Sequence, residues 1–245
     1  MPVLAVDVGN TRIKWGLWDG RWVQQDALPT ADVHRLGAAW QGLPHLRRVI
    51  ACSVAGGQVG DWLDAWALAH GLSVHWVTSV REQCGVRNLY QDPSKLGADR
   101  WAALIAAREL VTGAALTVVA GTTVTINALS RDGEFLGGLI LPGLDMMADA
   151  LTRGTAGLPR AHGEFVPFPQ NTADAIASGA IQSVCGAIER MRGELAAPGA
   201  EPHILLSGGA AETLNAHLGR PSLIVPNLVL EGLRVIAGSE AVRGE

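Results

Sequence analysis

Apolar and polar positions near the start of the chain alternate with the two-residue period of a half-buried strand. "VLAVDV" is an apolar, β-branched run whose fifth residue is the acid Asp7, "RIKWGLW" alternates apolar with polar or small residues, and "RWVQQDAL" follows a tight Asp19-Gly20 turn. Three short strands are predicted. The period then lengthens and switches, predicting a helix over 31–41, a strand at "RRVIAC", a helix over 58–70 and a strand at "LSVHWV". A turn-rich stretch, "NLYQDPSKLGADR", leads into a helical pattern from about 97 to 112. The order βββαβαβ is that of an α/β domain.

The pattern then restarts. "ALTVVAG", "TVTINALS" and "EFLGGLIL" predict three strands again, the last two joined at Asp132-Gly133, followed by helices over 143–152 and 172–196, a strand "HILLS", and further helix and strand. "VVAGTTVTI" at 118–126 aligns with "VDVGNTRIK" at 6–14: Gly9 with Gly121, Asn10-Thr11 with Thr122-Thr123, and Asp7 with Val119. Leu17 then matches Leu129 and, after one inserted residue at the Asp-Gly turns, Trp22 matches Phe135. A repeat offset of about 112 residues predicts two like-folded domains, 1–112 and 113–245, with a ligand cleft between them. Composition agrees, because all eight tryptophans lie in the first 101 residues while Ala, Gly, Leu and Val dominate the second half.

Charge and cysteine usage narrow the class. The chain is 48% hydrophobic and 17% charged, with no apolar run of about 18 residues, so no membrane association is expected. "MPVLAVDVGN" has no cationic segment before its apolar one, which argues against a signal peptide. Cys52, Cys84 and Cys185 are far apart and form no CxxC pair, so neither a disulfide framework nor a zinc site is expected, and the location expected is cytoplasmic. A net charge of −4 argues against nucleic acid as a partner. The scattered histidines form no metal-binding spacing.

The candidate chemistry lies in the glycine turns. From Asp7 through Val8, Gly9, Asn10, Thr11, Arg12 and Ile13 to Lys14, a strand ends in an acid and a glycine admits close approach of the backbone. Short polar side chains and N–H donors there can hold phosphate oxygens. Asp7 can hold a divalent cation through water, and Lys14 can reach a phosphate as a point charge. One such turn alone is as well explained as a plain hairpin. The second copy, Gly121, Thr122 and Thr123, favours two phosphate-holding hairpins facing one ATP, and Gly208 and Gly209 in "LLSGGAAETL" offer a place for its nucleoside end.

These three elements in this order resemble the actin, hexokinase and Hsp70 superfamily. "YQDPSKLGADRW" at 90–101, lying between the hairpins, resembles the type III pantothenate kinases, as do "DVGNT" with Lys14, Ser53-Val54, "GGLILPGL" and "NTADAIASG". The resemblance implies an α/β fold of two RNase H-like (actin-like ATPase) domains, each of βββαβαβα type, with the active site in the interdomain cleft. It implies transfer of the γ-phosphoryl of ATP, with Mg2+ or another divalent cation, to the 4'-hydroxyl of pantothenate, the first step toward coenzyme A. Asp99 matches the family's catalytic base, Arg100 the group facing the substrate carboxylate, and Tyr90, Gly97, Ala98 and Thr172 the remaining substrate contacts. Thr172 would act at the interface of a homodimer; read alone it is the N-cap of its helix, and the two roles are compatible.

Two positions depart from the family pattern. Val119 replaces an Asp that binds potassium or ammonium, and Asn127 replaces another frequent Asp. The expectation is an active kinase with a weakened or absent need for a monovalent cation. Rival readings are a sugar or small-alcohol kinase on the same fold and a non-catalytic transcriptional accessory factor. The Tyr90–Trp101 segment argues against the first, and retention of Asp7, Lys14, Asp99 and Arg100 against the second.

Overall fold

The computed structural model describes residues 2–43, 46–154 and 163–241. Its contacts divide the chain into two units, one running to Leu110 and joined by a late helix, the other spanning Val111–Asn227.

In unit 1 the three strands expected from alternation form a meander, β1 (Val3–Val8), β2 (Arg12–Trp18) and β3 (Trp22–Pro29). A 3-10 turn at Thr30–Arg35 and a one-turn helix α1 (Leu36–Ala39) follow. Next come β4 (Arg48–Ser53), α2 (Gly57–Ala69) and β5 (Val74–Trp76), giving the strand order β3-β2-β1-β4-β5 with β4 and β5 parallel to β1. The helix expected over 31–41 is broken because Asp32 leaves helical dihedrals (φ −97°, ψ 22°), a habit of residues that bond locally to backbone. A hairpin not foreseen, β6 (Glu82–Gln83) and β7 (Val86–Asn88), precedes α3 (Ala98–Leu110). Strands of two and three residues are too short to show a period.

Strand alternation decides which side chains share a face. Leu4, Val6 and Val8 of β1, Ile13 and Trp15 of β2, and Val49 and Ala51 of β4 join Leu36, Trp40, Val59 and Leu63 in one core cluster. Trp40 is its centre, 6.0 Å from Trp15 and 4.6 Å from Trp66 between ring centroids, both edge-on. Asp7, Lys14 and Cys52 therefore point to the other face, as register partners on three adjacent strands.

Unit 2 repeats this plan with β8 (Ala115–Ala120), β9 (Thr123–Leu129), β10 (Glu134–Pro142), α4 (Leu144–Gly154), α5 (Thr172–Leu195), β11 (His203–Ser207), α6 (Ala211–His217) and β12 (Leu223–Ile224). Its strands run in the order β12-β11-β8-β9-β10. Leu116, Val118 and Ala120 pack with Ile181, Val184 and Ile188 of α5 and Leu214 of α6, and no tryptophan enters this core.

The two hairpins differ by one residue. Val8 pairs with Ile13 across Gly9–Arg12, whereas Ala120 pairs with Val124 across only Gly121–Thr123. The ungapped match therefore slips after the turn: Thr125 faces Val119 as Lys14 faces Asp7, and Ala128 rather than Leu129 takes the place of Leu17.

The last helix, α7 (Leu228–Ala241), belongs with unit 1, so the boundary expected from the repeat holds only to about residue 227. Leu228, Leu230, Leu233 and Ile236 are fully buried, Arg48 donates to the Ala237 carbonyl at 2.8 Å, and the Trp22 indole donates to Glu231. Arg234 lies 4.7 Å over the Trp18 ring. Where α7 crosses α3, Gly232 sits against the Ala102 carbonyl with no room for a Cβ. Gly232→Ala should therefore destabilise the protein by about 2 kcal/mol through forced separation of the helices. On an open helix face the same change would stabilise by about 1 kcal/mol, so the sign measured by urea denaturation decides.

Candidate active site

The Asp7 carboxylate is held among backbone and side chains of unit 1 with 9% of the residue exposed. The Cys52 thiol, on the neighbouring parallel strand, donates to its Oδ1 at 3.6 Å, and Lys14 is its antiparallel partner. Burial pushes the Asp7 carboxyl up to about 6; Lys14 opposes the rise, Asp99 adds to it by like-charge repulsion, and the thiol bond opposes it. Burial likewise pushes the Cys52 thiol well above its ordinary range, ahead of repulsion from Asp7 and Asp99. The two acids expected to serve the cation and the proton thus belong to one electrostatic site.

The hairpin beyond Asp7 is braced by contacts no local motif announces. Gly9 N–H closes the turn on the Arg12 carbonyl at 3.1 Å, Thr30 N–H donates to the Thr11 carbonyl at 3.0 Å, and the Thr30 hydroxyl to the Gly9 carbonyl at 2.7 Å. Asn10, Thr11 and Arg12 are exposed at the tip, while Val8 and Ile13 bury their side chains in the core and offer only backbone.

Asp99 lies in the first turn of α3, where the helix dipole favours a negative charge, and its Oδ1 accepts from Arg100 N–H at 2.8 Å. A Cβ at Gly97 would stand 2.6 Å from that same oxygen, so glycine there is what makes room for the carboxylate. Ala98 begins the helix. Arg100, 6% exposed, donates from Nη1 to the Tyr90 hydroxyl at 3.1 Å, with its guanidinium 5.9 Å from that ring's centre. Tyr90, Gly97, Asp99 and Arg100 are linked by these contacts. Thr30, which braces the first hairpin, Cys52, which bonds Asp7, and Asn88 and Arg81, which meet the Tyr90 backbone, gave no sequence signal beyond their polarity.

In unit 2 the second hairpin closes by Gly121 N–H on the Thr123 carbonyl at 2.9 Å, and Gly143 N–H donates to the Thr122 carbonyl at 3.0 Å. Gly208, at φ +95°, presses against the Ala120 carbonyl where no Cβ fits, and Gly209 follows exposed before α6. The strand-end glycines expected at the nucleotide thus lie beside the hairpin of their own unit. Val119, half-buried, has Thr125 and Ser207 as its two register partners. Where unit 1 has Asp7, Lys14 and Cys52, unit 2 has three neutral side chains. Asn127 is buried and donates to Thr117 Oγ1 at 3.0 Å. Thr172 is the first residue of α5 rather than its N-cap, because Asn171 accepts from Asp174 N–H at 2.9 Å. Thr172 lines a cavity of about 600 Å3 with Met147, Leu151 and Ile176.

Among the described residues no three His, Cys, Asp or Glu side chains gather as a metal-binding group, and no helix is long and apolar enough to cross a membrane.

Two units of this plan, each with a glycine hairpin leaving its central strand, define the actin-like ATPase fold. MreB 5 of Spiroplasma citri has it (TM-score 0.54, 10% identity, 100% of this chain and 99% of that one). So does component A of the (R)-2-hydroxyglutaryl-CoA dehydratase of Acidaminococcus fermentans (TM-score 0.56, 12% identity, all of both chains). Within that fold a family model, type III pantothenate kinase, matches residues 3–194. The type III pantothenate kinase of Aromatoleum aromaticum is 48% identical over 241 residues, covering 98% of this chain and 99% of the relative. The chain belongs to the type III pantothenate kinase family.

The raised Asp7 pKa has a consequence for stability. The native state keeps the proton up to about pH 6, whereas an unfolded aspartate releases it near pH 4. Stability is therefore lost as pH rises through that window, and the loss is complete above it. Asp7→Asn should stabilise the protein by about 2 kcal/mol at pH 8 in the presence of a chelator, with the gain fading toward pH 4. Urea denaturation at both pH values tests this; a destabilised variant at pH 8 would contradict it.

Proposed function

We propose that this chain phosphorylates pantothenate at its 4'-hydroxyl with ATP, giving 4'-phosphopantothenate and ADP in the first step of coenzyme A biosynthesis. Family membership supports the reaction, and the observation that carries the assignment of roles is the gathering of Asp7, Lys14, Asp99, Arg100 and Tyr90 within unit 1. Phosphoryl transfer asks chiefly for alignment, charge neutralisation and a proton acceptor. Asp99 accepts the 4'-hydroxyl proton as that oxygen bonds to the γ-phosphorus and the bond to the β,γ-bridging oxygen breaks. Arg100 receives the pantothenate carboxylate and Tyr90 packs beside it, their mutual hydrogen bond fixing both before substrate arrives.

Lys14 and the tip of the first hairpin serve the phosphates, as does the second hairpin of unit 2, with Gly208 and Gly209 toward the nucleoside. A buried carboxylate already repelled by a second acid fits a divalent cation, which Asp7 would hold; when bound, the cation offsets the negative charge of the phosphates. The neutral set Val119, Thr125 and Ser207 does not fit a monovalent cation that needs a carboxylate, so turnover does not depend on potassium or ammonium. Thr172 meets substrate at the interface of a homodimer, and the enzyme works in the cytoplasm.

Asp99→Asn should lower turnover at least a hundredfold while leaving the circular dichroism spectrum unchanged. Undiminished turnover would assign the proton to another group. Initial rates in sodium, potassium and ammonium buffers should agree within about twofold, by the chemistry of a site without a carboxylate; strong activation by potassium would show that an ion is held by other means.

A further inference from the structure

We propose that Asn88, together with Arg81, is a positioning residue for pantothenate, acting through Tyr90 and Arg100. The inference rests on the reading above that this pair binds pantothenate. Tyr90 lies in a stretch without helix or strand, between β7 and the short turn Pro93–Lys95, so no sheet or helix ladder fixes its backbone. Side chains do so instead. Asn88 is fully buried, and its Oδ1 accepts from Tyr90 N–H at 3.0 Å. Its Nδ2 donates to Ser79 Oγ at 2.9 Å and to the Pro93 carbonyl at 3.2 Å. One amide therefore ties together the segment before the β6–β7 hairpin, the Tyr90 backbone and the turn that leads into α3.

The chemistry demands an amide. Oδ1 meets a donor and Nδ2 meets a carbonyl, so a flipped orientation would set donor against donor and acceptor against acceptor. A carboxylate could still accept from Tyr90 N–H but could not donate to Pro93. Arg81 closes the loop from outside, with Nη1 donating to the carbonyls of Asn88 at 2.9 Å and Tyr90 at 3.2 Å, and Nη2 to that of Gln91 at 3.5 Å. A planar fork of two terminal nitrogens can reach the carbonyls of Asn88, Tyr90 and Gln91 in this way, where a lysine has a single nitrogen. The phenol held by this clamp is the one that receives the Arg100 hydrogen bond, so a shift of the loop moves both substrate-facing groups together.

The test compares Asn88→Ala, Asn88→Asp, Arg81→Met and Tyr90→Phe with Leu63→Ala, which empties the core of the same unit on the other face of its sheet. KM for pantothenate, KM for ATP and the thermal midpoint are measured for each. Arg81 is exposed, so its variant folds even where Asn88→Ala does not. The expected result is a rise of about tenfold in KM for pantothenate in the Asn88, Arg81 and Tyr90 variants with KM for ATP unmoved, smaller in Asn88→Asp than in Asn88→Ala. Leu63→Ala should lower the thermal midpoint and leave both KM values alone. If Tyr90→Phe raises KM for pantothenate while the Asn88 and Arg81 variants do not, the clamp is wrong and the substrate reading stands. If the clamp variants raise both KM values alike, Asn88 is structural only. An unchanged KM in Tyr90→Phe overturns the substrate reading, and the clamp with it.

Discussion

Unit 1 is organised around a carboxylate buried on its central strand. Asp7 can occupy that place because alternation gives β1 an entirely apolar second face, so that Leu4, Val6 and Val8 anchor the strand while its acid points the other way. A charge so placed costs stability, and its surroundings reduce the cost only in part: Lys14 across the hairpin and the Cys52 thiol favour the ion, but burial and Asp99 oppose it more strongly. A fold that retains such a group gives up stability at its central strand. The position of α3 follows from the same requirement, since its first turn brings Asp99 within electrostatic reach of Asp7 and places Arg100 toward Tyr90.

The second copy shows what the scaffold looks like without that demand. Val119, Thr125 and Ser207 take the three register positions with no charge among them, and the hairpin is one residue tighter. Backbone geometry is nevertheless kept, with Gly208 and Gly143 seated against the strand end and turn. The repeat thus preserves hairpins and strand order while the face beside the central strand has diverged, which is the expected division when the fold is common and the site is particular.

Much of this was legible in the sequence for identifiable reasons. Apolar runs, alternation and the Asp-Gly turns placed all six strands of the two meanders, and glycines at strand ends marked both hairpins. The Leu-Gly-x-Asp-Arg segment pointed to the site through its resemblance to the family; read alone, Asp99 is an acid at a helix N-terminus, and the crowding of Gly97 against it is visible only in the structure. Contacts between distant segments left none. Cys52 meets Asp7 across 45 residues, Thr30 reaches Gly9 across 21, and nothing in the order of residues ranks these above other polar side chains. The short β6–β7 hairpin escaped for lack of length, which hid Asn88 inside what read as loop. The one-residue slip after the second hairpin escaped because an ungapped alignment cannot see hydrogen-bond register. Assignment of α7 to unit 1 depends on a helix crossing, which hydrophobic periodicity predicts for many partners alike.

That helix also fixes an order of events during synthesis. Unit 2 is a continuous segment and has all its residues once Asn227 has left the ribosome, whereas unit 1, although it begins first, lacks α7 until the residues after 227 emerge. Domains fold as units as their residues become available, and incomplete ones expose apolar surface. The nascent first unit must therefore wait with the α3 surface around Ala102 uncovered while the second is made. In this chain the half that carries Asp7 and Asp99 is the last to be finished.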